Sequence, residues 1–137
     1  MNRAATTDRE TLRAIPRIFA ERGDVAAVFR LPDALRHPAF PGPRTFDLGV
    51  LFHPLVDGSR YEELRIEISE AVAVEVARAD IRLVVLNDAS PNLAYDLIRR
   101  GYPVYVGSEE QVRGFEIRVQ TEFLRSVHDR TPRPVIG

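Results

Sequence analysis

Apolar and polar positions along this chain follow two different periods, and its elements are marked where the period changes. Leu12, Ile15, Ile18 and Phe19 recur at helical spacing, and Thr7 followed by Glu10 has the spacing of a capping box, so a helix opens the chain. Pro16 interrupts that pattern; it either kinks the helix or sits in the first turn of a second short one, with Gly23 as a stop. Val25 to Phe29 is unbroken apolar sequence and reads as a buried strand. Phe46 to Phe52 is apolar at nearly every position, which predicts a second strand buried on both faces. Between the two, Leu31 to Arg44 contains Pro32, Pro38, Pro41, Gly42 and Pro43. Proline at that density continues neither a helix nor a central strand, so this is a loop.

The second half repeats the alternation of helix and strand. Pro54 and Gly58 make a turn, and Ser59 with Glu62 has capping-box spacing before a long helix carrying Leu64, Ile68 and Ala71 or Val72 on one side. Ile81 to Leu86 predicts a third strand, entered through Asp80. Ser90-Pro91 is a helix start, serine as cap and proline in the first turn, for a helix through Leu93, Leu97 and Ile98 that stops at Gly101. Tyr102 to Val106 is a short fourth strand. Ser108 with Gln111 caps a last helix to about His128, with Val112, Phe115, Val119, Phe123 and Val127 on its apolar face. Two strands joined by a loop rather than a helix are expected to be antiparallel neighbours. The fold class is therefore α/β (α+β), a small mixed sheet of about four strands flanked by helices. A single domain is expected over residues 1–130, with 131–137 as a flexible tail.

Composition narrows the chemistry. Nineteen basic residues nearly cancel twenty acidic ones, so no global field draws nucleic acid, and no direct nucleic-acid binding is expected. All the basic residues are arginine; without lysine there is no Schiff base or lysine phosphate clamp, and any anion must be met by arginine or backbone N–H groups. The absence of cysteine excludes disulfides, zinc–cysteine sites and thiol nucleophiles. No apolar run approaches the roughly 20 residues that cross a bilayer, and the first ten residues lack a signal-peptide core. A cytoplasmic protein without membrane contact is the expectation.

Candidate chemistry centres on Thr45-Phe46-Asp47-Leu48. In a strand, side chains two residues apart point the same way, so a pair of carboxylates at this spacing could hold a divalent metal. Here Asp47 supplies one carboxylate and Thr45 stands where the other would be. Asp80 is a second acid at a strand start. Arg30 and Arg44 flank the proline loop and suit bidentate anion contact, against the plainer reading of two solvated side chains. His37, His53 and His128 have no ligand spacing, although His53 follows the second strand near the expected cleft. Gly107-Ser108 precedes a helix and could hold a phosphate, but Glu109 and Glu110 beside it would repel one. The proline loop is either an unconstrained connection or a surface whose Leu35 and Phe40 would contact a partner, and partner contact is the expectation.

These residues resemble the minimal nucleotidyltransferases (MNT), small members of the DNA polymerase beta-like superfamily and, in bacteria and archaea, antitoxin partners of HEPN-domain toxins. The resemblance runs over nearly the whole chain. It is carried by Asp24 to Phe29, Asp47 to Phe52 and, above all, Ala79 to Pro91 leading into Leu97 to Tyr105. In that family a Gly-Ser pair closes the first strand, Asp-x-Asp lies on the second and a third acid opens the third; the acids hold two Mg²⁺ ions and the Gly-Ser backbone binds the triphosphate of ATP. By resemblance, Asp47 is the second Asp of the pair and Asp80 the third acid, both remnant metal positions. Thr45 replaces the first acid, and Arg30 and Leu31 stand at the phosphate-motif position. The expectation is a catalytically degenerate, antitoxin-like protein that neutralises a HEPN-type ribonuclease by forming a hetero-oligomer. The alternative is an active Mg-dependent adenylyltransferase adding AMP from ATP to a protein partner, with an acid such as Asp33 replacing Thr45.

Overall fold

The computed structural model describes residues 6–32 and 45–130. Within them the element order is α1 (Asp8–Phe19), β1 (Val25–Arg30), β2 (Phe46–Phe52), α2 (Tyr61–Val76), β3 (Ile81–Val85), α3 (Pro91–Arg100), β4 (Tyr102–Val106) and α4 (Glu109–Arg130), with short 3-10 turns at Gly58–Arg60 and Leu86–Asp88. This is the order that the periodicity predicts. The tail at 131–137 and the loop residues 33–44, including Leu35, Phe40, Arg44, Asp33 and His37, lie outside the described residues.

The strands form one sheet in the order β3-β2-β1-β4. β1 is antiparallel to both β2 and β4, while β2 and β3 run parallel, so the sheet is mixed. The two central strands, β1 and β2, are buried throughout their lengths. Alternate residues of β2 feed two separate cores. Phe46, Leu48, Val50 and Phe52 pack with Ile15 and Phe19 of α1 and with Leu64, Ile68, Val72 and Val76 of α2. Leu51 packs on the other face with Phe29, Ala94 and Leu97 of α3, and Phe115 and Val119 of α4. A strand buried on both faces loses the alternation of polar and apolar residues, which is why β2 reads as a continuous apolar run.

Local chemistry explains most of the element boundaries. Thr7 caps α1 by accepting from Glu10 N at 3.1 Å. Pro16 lies inside this one helix and does not start a second. Ser90 caps α3 by accepting from Leu93 N at 3.3 Å, with Pro91 in the first turn. Ser108 accepts from Gln111 N at the start of α4. The expected box of Ser59 and Glu62 does not form. Asp57 instead accepts from Ser59 N at 2.9 Å and caps the 3-10 turn, and Glu62 pairs with Arg65 one turn along α2. Asp57 opens the turn two residues earlier, on Ser59 N, and the Glu62 side chain is drawn to the Arg65 guanidinium, a charge-assisted bond stronger than one to a backbone N–H. The third strand stops at Val85, because Leu86 begins a 3-10 turn that buries its side chain over Gly49. On α4 the inward residues are Phe115 and Val119, whereas Val127, expected on that face, is exposed together with Ile117 and Leu124.

Candidate functional site

The parallel register of β2 and β3 sets Asp47 directly opposite Arg82, and Phe46 opposite Ile81. Strand parity then fixes the direction of each side chain. Phe46 faces the α1/α2 core, so Asp47 points to the face on the other side, the one covered by α3 and α4. There its carboxylate is almost wholly buried, with its side chain 9% exposed. Arg82 grips it with both arms of the guanidinium fork: Nε donates to Oδ1 at 3.0 Å and Nη2 to Oδ2 at 2.8 Å. The Thr45 hydroxyl donates to the same Oδ1. Both oxygens of Asp47 are therefore occupied by donors of this chain, and its charge is neutralised by a cation on the neighbouring strand.

Asp80 is held elsewhere. It precedes β3, so the strand does not dictate its direction, and its carboxylate turns to Arg78, which donates from Nε at 2.8 Å and from Nη2 at 2.6 Å. Arg78 also donates to Asp8 at 2.8 Å and to the Thr11 hydroxyl at 3.1 Å, tying this corner to the start of α1. The bond from Arg78 is the main reason that the Asp80 carboxyl is held below its ordinary range, with burial opposing the shift. The same bond holds Arg78 all the more firmly protonated.

Arg30 is not a solvated side chain. It is buried at 8% exposure, its guanidinium carbon lies 3.8 Å from the centre of the Phe46 ring, and Nη1 donates to the main-chain oxygens of Leu31 and Asp47 at 3.0 and 3.1 Å. Arg78 lies 4.5 Å from the centre of the same ring. Arg30, Arg78 and Asp80 thus gather around Phe46, whereas the Asp47 carboxylate lies on the opposite face of the sheet. The structure brings Arg30 and Asp80 into one cluster and pairs Asp47 with a residue that the sequence reading did not single out. Arg82 carried one signal: it is the only charged residue inside the apolar run Ile81 to Leu86.

The fit of this site to Mg²⁺ and a nucleotide follows from its donors. Mg²⁺ demands an octahedron of oxygens with at least one carboxylate free to bind it, and among the described residues no cluster of three acidic or histidine side chains offers one. The phosphate position fares no better. Leu31 N is used by Asp47 O at 3.1 Å, and the Leu31 side chain is buried. Gly107 N and Ser108 N both donate to Ala26 O, at 2.8 and 3.1 Å, so that pair is consumed by the end of the sheet. A cleft of about 420 Å³ does run along the outer edge of β3 beside Arg82, lined by Ser59, Tyr61, Arg65 and Leu93 among others, but Arg65 is paired with Glu62 as Arg82 is with Asp47. His53 uses Nδ1 to accept from Leu55 N at 3.2 Å, closing a turn. Among the described residues, these groups do not fit a metal-bound triphosphate.

No protein-family model and no curated protein matches this chain. Solved structures do. A chain from a structure of tri-AMPylated Shewanella oneidensis HEPN toxin in complex with MNT antitoxin superposes with a TM-score of 0.65 at 15% identity, over 90% of this chain and 92% of that one. This chain has the nucleotidyltransferase fold of the MNT antitoxins. A chain from a MntA–HepT toxin–antitoxin structure gives 0.63 at 15% identity, covering 90% and 92%. One from a toxin–antitoxin structure with AMP-PNP gives 0.63 at 16% identity, covering 87% and 91%. The likeness in fold thus extends over nearly the full length of both chains.

Proposed function

We propose that this chain is the antitoxin of a toxin–antitoxin pair, and that it neutralises a HEPN-type ribonuclease by forming a complex with it in the cytoplasm rather than by chemical transfer. The observation that carries this reading is a conjunction: an MNT fold matched over about nine-tenths of its length, and an acidic residue at its expected site that is already satisfied by Arg82 and Thr45. A scaffold whose Asp47 carboxylate is already paired can still present a surface. Inhibition then depends on shape and contact area. Among the described residues no helix is long and apolar enough to cross a membrane, which agrees with this placement.

The test is co-expression with the product of the adjacent gene. A stable complex that restores growth, and that restores it equally with Asp47→Asn, supports the reading; a chain that purifies free of that protein, with no effect on its toxicity, refutes it. The second reading, AMP transfer, is motivated by the AMPylated toxin and the AMP-PNP complex among the structural neighbours. Intact-mass spectrometry of the co-purified partner after incubation with ATP and Mg²⁺ separates the two. An added AMP that disappears with Asp47→Asn would favour the enzyme.

A further inference from the structure

We propose that Arg82 is a resident cation: its guanidinium occupies, on the Asp47 face of the sheet, the electrostatic place of a divalent metal, and a single change at residue 82 is enough to open that place to one. The inference stands whether or not the partner is a toxin, since it rests only on the geometry of β2 and β3.

Parity puts Asp47 of β2 and Arg82 of β3 on one face, in register opposite each other, and the hydroxyl of Thr45, just ahead of β2, reaches the same carboxylate. A carboxylate, a hydroxyl and a third group converging from the next strand make up half of an oxygen shell. In this chain the third group is not an oxygen donor but the positive charge itself. It arrives as a planar fork at 2.8 and 3.0 Å, which matches the two carboxylate oxygens better than a compact ammonium would. Because Arg82 is tethered one strand away, it competes with free ions at the high effective concentration of an intramolecular ligand. A metal ion would also have to shed its tightly held water to gain a single carboxylate, and would then sit beside the displaced guanidinium. Both effects close the wild-type site to divalent cations. With aspartate at residue 82, two carboxylates would face each other across the strands beside the Thr45 hydroxyl, a like-charge pair that a divalent ion relieves.

The experiment is a Mn²⁺ titration followed by calorimetry and by loss of the free-ion EPR signal, on wild type, Arg82→Asp, Arg82→Met, and Arg82→Asp combined with Asp47→Asn. Expected are no stoichiometric site in wild type or Arg82→Met, and one site per chain in Arg82→Asp, bound at least ~10-fold tighter than in Arg82→Met and lost in the double variant. Where Arg82→Asp does not fold alone, circular dichroism during the same titration takes over, and Mn²⁺-induced folding is the supporting result. A wild-type Mn²⁺ site that vanishes with Asp47→Asn overturns the proposal. So does an Arg82→Asp chain that gains neither Mn²⁺ affinity nor fold.

Discussion

Removing either member of the Asp47–Arg82 pair should destabilise the protein, but not equally. Arg82→Met keeps much of the side-chain volume and deletes the charge, leaving a carboxylate whose side chain is 9% exposed; Asp47→Asn leaves a guanidinium that is 26% exposed and has a path to water. Two unit charges about 4 Å apart attract by about 4 kcal/mol at an effective dielectric of 20, and the cost of desolvating both offsets much of that in the intact pair. Stranding one buried charge costs about 3–5 kcal/mol when burial is complete. The Thr45 hydroxyl still donates to Asp47, so Arg82→Met should cost about 2–4 kcal/mol, spanning the ranges for a lost charged hydrogen bond and for a fully stranded charge. Asp47→Asn keeps an oxygen acceptor for the fork and should cost about 1–2 kcal/mol. At roughly 3–5 °C per kcal/mol for a chain of this size, the two Tm values should fall by about 6–20 °C and 3–10 °C. Urea unfolding of both single variants and the double variant measures the costs and their coupling, which should exceed about 1 kcal/mol. Costs below about 0.5 kcal/mol for both variants, or a larger cost for Asp47→Asn than for Arg82→Met, would refute the reasoning.

Three further outcomes are expected. A Cβ added at Gly101 would meet Arg30 O at 2.6 Å and Leu97 O at 2.7 Å, both backbone atoms that cannot rotate away, so Gly101→Ala should lose about 1–3 kcal/mol in urea unfolding. Ala77 caps α2 with φ at 54°, the left-handed region, and Ala77→Gly should raise stability by about 0.5 kcal/mol once the extra freedom of the unfolded chain is counted against the relieved strain. Asp80 titrates below its ordinary value of 3.8 when folded, so its pairing stabilises the protein above that value and the contribution is lost as pH falls through the lower folded value. Its side chain is 44% exposed, so the effect is below about 1 kcal/mol; Asp80→Asn should be slightly less stable at pH 7 and should lose less than wild type between pH 4 and 2 in thermal melts.

The elements themselves were legible because their causes are local. Hydroxyl caps at Thr7, Ser90 and Ser108, the proline after Ser90 and the glycine after Arg100 act on backbone within one helical turn, and each lies where the sequence places it. The misplaced cap at the head of α2 is the informative exception: Asp57 and Ser59 are both capping residue types, and spacing alone does not say which of them opens the turn.

By itself the sequence determined the order of helices and strands, the antiparallel start of the sheet, the double burial of β2 and the position of Asp47 within it. Only the tertiary structure decided what Asp47 meets. Pairing register is a relation between strands far apart in the chain, and a slip of one residue would have turned Arg82 to the other face. The observed register set a guanidinium against that carboxylate, took Asp80 away to Arg78 and buried Arg30 against Phe46. The charges that a reading along the chain lists separately were thereby matched with one another, because a buried charge is tolerated only where its counter-charge is brought within hydrogen-bonding reach.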